Sequence, residues 1–501
     1  MKDAKVKRIR QKIAMLKQQF LQSDSGVFDQ ILGGQEIAAV ADELVEPYRE
    51  RIYPPLDTLR LFVGQVLSAD RACQDVVGRR LSERVAQGQP VSALGTSSYC
   101  DARKRLPIEL PVALGSMVGE RLESMAPSHW RWQKRPVKLF DGTTITMPDT
   151  PSNQQTYPQS PEQKPGLGFP IARIGALIGL TSGAILGYQV AACKGKGTGE
   201  QSLLANLLDH LDDGDVLLAD ALLATWWIIH GAISRGADIV MPQHGMRITD
   251  FTQGRRPGKH DHLVQWARPP KPKAMSAEEY ADYPEFIEMR EAKVNGRILV
   301  TTLLDPVLVS AQSLGALYKM RWNIEVDFRT IKATLEMDVL RCKSQSMVDK
   351  EIAVYFLAYN LVRWAMAKAA LLADVLPRML SFAGAKRLLC TFADQLRRTS
   401  DDQVRALIET VTACIATLRL PHRPDRIEPR AKKRRPKNLP LLTMPRQVAR
   451  DLIYTQRELN RVPWESDPNY ANYAFAWQDI LRSLVATALH KSTTNRLQQP
   501  K

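Results

Sequence analysis

Two aspartates follow short strand-like runs: Asp141 after Val137 to Phe140, and Asp220 after Val216 to Ala219. Read this way, each carboxylate ends a buried strand, a costly place unless it is paired or holds a metal. Strand-end aspartates also cap helices and form turns, so neither residue alone fixes a function. A third acid, Glu325, stands in a helix-like stretch from Tyr318 to Lys332. At 100° per residue, Tyr318, Arg321, Glu325, Arg329 and Lys332 fall on one narrow stripe. From 318 to 332 is 14 residues, roughly 21 Å of helix, long enough to follow several phosphates. Asp327 falls on the opposite face and does not belong to the stripe. Ile324, Phe328 and Ile331 make an apolar face beside it, so an ordinary amphipathic helix with i,i+4 charge support is an open alternative.

The elements that must position these residues are legible in outline. Residues 1–125 read as a helical N-terminal region. Residues 1–20 carry seven basic residues and one acid, Asp3. Asp57 is placed to cap a helix over 58–67, and 70–85 reads as another. Thr96-Ser97-Ser98 opens a short helix through Leu106 bearing Arg103, Lys104 and Arg105, which suits a small helical DNA-contacting unit. From Pro136 the pattern changes. Strands are expected at 137–140, 171–180, 184–192, 216–219 and 238–241, with helices from Gly199 to Leu211 and from Thr225 to about Arg235. That order makes a mixed α/β sheet. Residues 246–310 break the alternation. Turn-rich basic loops (254–259, 269–273) and strands at 262–267, 286–294 and 297–304 mark a β-rich insertion. A long helix is expected from about 311 to 337, and mostly helix beyond 348. The segment Arg423 to Arg450, with ten basic residues against two acids, is either a solvated loop or a phosphate-facing one. The resulting divisions are 1–125, 126–245, 246–310, 311–375 and 376–501.

The composition narrows the partner. Lys plus Arg is 69 and Asp plus Glu is 53, a net charge of +16 over 501 residues. Such a surplus in a chain of ordinary globular composition points to a polyanion, either nucleic acid or an anionic membrane. Six cysteines without a C-x-x-C pair argue against a disulfide framework and a zinc site. The uncharged stretch from Ile174 to Cys193 is 20 residues long, but it holds four glycines and a central Thr-Ser-Gly. It reads as a buried hairpin rather than a membrane span, so no membrane partner is expected.

The helix pattern Tyr318-x2-Arg321-x3-Glu325-x6-Lys332 resembles the signature helix of bacterial insertion-sequence transposases of family four, in the DDE superfamily. Phe140-Asp141-Gly142-Thr143-Thr144 is similar to that family's first acidic motif and Leu218-Ala219-Asp220-Ala221 to its second. The likeness extends to Arg341-x-Lys343-Ser344 and Ala358-Tyr359-Asn360-Leu361, and covers about residues 60–370. It implies an RNase H-like α/β fold: a mixed sheet with the β-rich insertion between the second and third acids, flanked by helical N- and C-terminal regions. It implies a transposase that cleaves DNA and transfers strands at the ends of an insertion sequence, a polynucleotidyl transferase and endonuclease. Asp141, Asp220 and Glu325 would be catalytic and would hold two Mg²⁺ ions, with Mn²⁺ able to substitute; hard cations choose oxygen ligands. Tyr318, Arg321, Arg329 and Lys332 would contact DNA. Members of the family are thought to form a hairpin with a flipped base near the insertion. Trp266, between the basic loops, is a candidate stacking residue, with a core tryptophan as the alternative. The partners implied are double-stranded DNA at terminal inverted repeats, target DNA, and a second copy of the chain in a paired-end homodimer. The place of action implied is the bacterial cytoplasm, at the nucleoid. A stand-alone metal-dependent nuclease and a non-catalytic DNA-binding derivative remain as alternatives.

Overall fold

In a computed structural model, the described residues are 34–48, 52–90, 93–273, 275–398, 401–421 and 443–459. The basic N-terminal arm (1–20) and the basic run 432–437 lie outside them. The chain divides into two units, residues 1–160 with 169–430, and residues 161–168 with 431–501. The second is described over 161–168 and 443–459, the latter including one helix, Arg446–Leu459. The first unit holds the sheet and all the other described helices.

Five helices lead the chain: α1 (Gly34–Leu44), α2 (Pro55–Leu67), α3 (Cys73–Ala86), α4 (Ser97–Arg105) and α5 (Glu109–Ser124). Pro54 precedes the first turn of α2 and Pro55 occupies its start, where a missing N–H costs nothing. Asp57 therefore lies inside the first turn rather than capping it, and bonds Arg60 and Arg80 instead.

The sheet begins with β1 (Val137–Thr146), β2 (Ile171–Gly179) and β3 (Ile185–Ala192). The glycine-bearing apolar stretch is the β2–β3 hairpin, as its composition predicts. No described helix is long and apolar enough to cross a membrane. Helix α7 (Glu200–Ala205) follows a short helix α6 (Pro151–Thr156) in the chain and is shorter than expected, continuing only as a single 3-10 turn at Leu208–His210. Then come β4 (Val216–Leu218), α8 (Trp226–Ile233) and β5 (Asp238–Pro242). Strand β1 is antiparallel to β2 and parallel to β4, which is parallel to β5. The order β3-β2-β1-β4-β5, a meander followed by two parallel strands, is the RNase H-like arrangement.

The insertion supplies β6 (Arg255–Gly258), β7 (Asp261–Ala267), α9 (Ala277–Ala281), β8 (Phe286–Val294) and β9 (Arg297–Thr301). Its strands do not form a separate sheet. Strand β9 pairs with β5, and the nine strands run β3-β2-β1-β4-β5-β9-β8-β7-β6.

Alternation along the central strands sorts side chains into two cores. Leu139, Leu218 and Val240 join one and Phe140, Leu217, Ala219 and Ile239 the other. A strand buried on both faces reads as continuously apolar, which is why Val216 to Ala219 stands out in the sequence.

The expected long helix is broken. Helix α10 (Ala311–Lys319) ends in a tight turn in which the Arg321 N–H donates to Tyr318 O. Helix α11 (Trp322–Arg329) follows, and Thr330–Thr334 forms a π-helical turn. The straight 318–332 stripe is therefore bent at both ends. Helix α12 (Gln345–Leu372) is buried on nearly every side. Asn360 fixes it by donating to Gly115 O and Ile185 O and accepting from Ile185 N. Helices α13 (Phe382–Arg398) and α14 (Asp401–Thr417) complete the described part of this unit.

Candidate active site

Strand β1 does not stop at Asp141; it runs on to Thr146. What stops there is its neighbour. The parallel ladder ends with Leu139 opposite Leu218. Two residues beyond that pair on each chain segment come Asp141, still on β1, and Asp220, just past the point where β4 leaves the sheet. The Gly142 N–H donates to Asp141 Oδ1 at 2.8 Å. Asp220 also realises its turn-forming alternative, its Oδ1 accepting from Leu222 N–H at 2.9 Å and capping the 3-10 turn Ala221–Leu223.

Glu325 reaches the same place from α11. Ile324 and Phe328 bury that helix in the core that contains Leu139 and Leu218, which turns Glu325 towards β1. The link is Arg321. Its Nη1 donates to Asp141 Oδ2 at 2.8 Å and its Nη2 to Glu325 Oε1 at 3.4 Å. One guanidinium thus ties the first acid to the third. Tyr318 lies beside it: burial pushes the phenol pKa up, Arg321 opposes the shift, and Asp220 adds to it. Lys332, carried inward by the π-helical turn, donates to Thr144 O on β1 at 2.8 Å.

Three of the stripe's five residues thus meet β1 or each other, and Tyr318 stands among them. Arg329 is exposed at the end of α11. Among the described residues no three His, Cys, Asp or Glu side chains are grouped to enclose an ion; Arg321 holds two of the relevant carboxylates itself.

The other sequence candidates lie elsewhere. Arg103, expected to face DNA, is buried. It bonds Gln65, Cys73 and Cys342 and lies 3.9 Å from the centroid of the Phe62 ring. The helix is amphipathic and Arg103 is on its inner face with Tyr99 and Ala102, whereas Lys104 and Arg105 are exposed. Trp266 is only 1% exposed. Its indole N–H donates to Glu291 and the Arg247 guanidinium covers its ring at 3.4 Å, so that face is not presented to a base. Strand β7, which carries it, stands five strands from β1, about 24 Å away.

One acid escapes the sequence reading. Glu200, the first residue of α7, lies against β1 at Gly142. Its place after a glycine-rich connection, Gly195 to Gly199, is the available signal.

Residues 132–361 match the family described as Transposase DDE domain. The chain is 26% identical over 414 residues to the transposase InsG of insertion sequence element IS4 from Escherichia coli (strain K12), covering 78% of this chain and 88% of that protein. Among solved structures, a cryo-EM structure of the piggyBac transposase synaptic complex with hairpin DNA aligns with 80% of this chain and 86% of that chain, at 9% identity and a TM-score of 0.37. A match to the transposase DDE domain thus holds all three acids, and the chain is similar to the IS4 transposase InsG over most of its length.

Proposed function

We propose that this transposase cleaves DNA at the ends of its insertion sequence and joins them to a target, using Asp141, Asp220 and Glu325. The observation that carries the reading is the Arg321 guanidinium bonded to both Asp141 and Glu325, with Asp220 two residues past the last pair of the parallel strands.

A transposase DDE domain implies dependence on a divalent metal. The residues present fit one. The donors are hard carboxylate oxygens, and a cationic guanidinium already stands between two of them. We take the metal to be Mg²⁺, two ions, held by Asp141, Asp220 and Glu325. When bound, the ions supply Lewis acidity to the attacking hydroxyl and the leaving oxygen.

The protein's own groups do the remainder. The Gly142 and Leu222 N–H groups orient the carboxylates of Asp141 and Asp220. Arg321 forms a planar fork that suits a phosphate, and a phosphate drawing it away frees Asp141 and Glu325. Lys332 gives a point charge over β1, and Tyr318 lines the same cleft. The nucleophile is a hydroxyl of water or of a DNA end, so no side chain becomes covalently attached.

Each insertion sequence has two ends and each chain has one set of acids. A homodimer pairing two terminal inverted repeats follows, acting on DNA in the bacterial cytoplasm. Lys104 and Arg105 are the exposed cations of α4 available to DNA.

The test uses a plasmid carrying the gene with its flanking DNA. Wild-type protein with Mg²⁺ should release the element, and Glu325→Gln should bind the ends but leave them intact. Release by that variant at the wild-type rate would remove Glu325 from the chemistry.

A further inference from the structure

Glu325 and Glu200 approach β1 from different layers of the fold. Helix α11 belongs to the core that contains Leu139, while Leu203 and Leu204 of α7 belong to the core that contains Phe140. The Glu200 side chain lies so close to β1 that a Cβ at Gly142 would stand 2.4 Å from its Oε1, 2.7 Å from its Cδ and 2.9 Å from its Cγ. A residue with any side chain at 142 would displace the carboxylate; the glycine is what admits it, one residue from Asp141.

Glu200 is half-buried and accepts no hydrogen bond from any described residue. Burial, then the charges of Asp141 and Asp220, push its pKa up, while Arg173 pulls it down. Arg173 is engaged elsewhere, donating to Thr198 O at 3.2 Å. Next to it, the Gln201 side chain donates to Leu222 O at 2.7 Å and fixes α7 against the turn that Asp220 caps. A half-buried carboxylate without a donor, close to two other carboxylates, is an arrangement that costs free energy in the metal-free chain. A divalent cation offsets all three charges at once.

We propose that Glu200 is a fourth carboxylate of the transposase site, facing the same divalent cation as Asp141 and Asp220 from the layer opposite Glu325. This rests on the transposase reading of Asp141 and Asp220. A ligand effect is then expected even without DNA. In the full chain, Mn²⁺ should raise the thermal unfolding midpoint, because a ligand of the folded state stabilises it. Glu200→Gln keeps the shape and removes the charge. Its metal-free midpoint should equal or exceed wild type, since like-charge repulsion is relieved. The Mn²⁺ concentration needed for the shift should rise at least about tenfold.

Asp141→Asn, titrated alongside, separates the possible failures. If Asp141→Asn loses the Mn²⁺ response and Glu200→Gln keeps it, the proposal is overturned and the site stands. If both keep it, the site reading fails and the proposal falls with it. A lower metal-free midpoint with an unchanged Mn²⁺ response would make Glu200 a structural residue and overturn the proposal. Should Glu200→Gln not fold, Glu200→Asp, which withdraws the charge by one methylene, is judged by the same criteria.

Discussion

Helix α11 carries two acids two residues apart, and their surroundings differ in kind. Asp327 is fully buried and accepts from four donors: the Tyr359 hydroxyl, Arg363 Nη2, and both terminal nitrogens of Arg378. Arg378 further bonds Leu180 O and Gly179 O, so the cluster clamps α11, α12 and the β2–β3 turn together. Among the described residues Glu325 has one partner, Arg321, at 3.4 Å, and its side chain is 36% exposed. Both clusters pair acids with arginines. What separates them is enclosure: Asp327 is buried beneath four donors with no room for a ligand, and Glu325 is open with most of its acceptor capacity unused. A buried, fully bonded ion pair holds a fold together, while a half-bonded one at an opening keeps capacity for chemistry.

The sharpest test of that contrast exchanges charge for amide at each acid. Glu325→Gln should lower DNA cleavage by roughly a thousandfold or more while leaving the unfolding midpoint nearly unchanged. A collapse in stability would make the two clusters alike. Asp327→Asn should do the reverse, costing about 3–5 kcal/mol in denaturant unfolding, because buried Arg363 and half-buried Arg378 are left beside a neutral group. A loss below about 1 kcal/mol would show that the clamp does not hold the fold.

The same contrast recurs on α4 at smaller scale. Arg103→Ala should destabilise by about 2–3 kcal/mol, through lost packing against Phe62 and lost bonds to Gln65. Lys104→Ala, losing only an exposed pair with Asp101, should stay within about 0.5 kcal/mol of wild type. Its effect should appear instead in DNA binding, where the log–log salt slope flattens by about one. An unchanged slope would take α4 off the DNA-facing surface.

How far the sequence reaches depends on whether local pattern or tertiary context decides each residue. Strands β4, β7 and β8 are visible because apolar runs and alternation are local. Asp141, Asp220 and Glu325 stand out as candidates because their types and spacing resemble those of a known family. The RNase H-like strand order follows from that match too. Arg103 is misplaced because a run of three cations reads as one surface, and only the helix phase against Phe62 and Tyr99 turns its first member inward. Trp266 is misplaced because flanking basic loops say nothing of the Glu291 and Arg247 that enclose it. The fusion of the insertion with the core sheet is not readable, since the pairing of β5 with β9 spans about sixty residues. Glu200 goes unseen because its meaning lies in Gly142, distant in sequence and notable only for the side chain it lacks.

Strand β5 is bonded on both edges, to β4 through Val216 to Leu218 and to β9 through Leu299 to Thr301. The seam is reinforced by Thr301 Oγ1 donating to Ile239 O at 2.6 Å and by Ile239 N–H donating to Thr302 Oγ1 at 3.1 Å. The outer strands are thus a ruler rather than an arm on a hinge. Each strand adds about 4.8 Å, so β6 at the far edge stands about 24 Å from β4 and from Asp220 beyond its end. Moving it closer or farther would mean breaking a ladder, not bending a linker. Lengthening the ruler through inheritance is just as constrained: antiparallel strands are gained as hairpins, two at a time, so its reach changes in steps of about 10 Å.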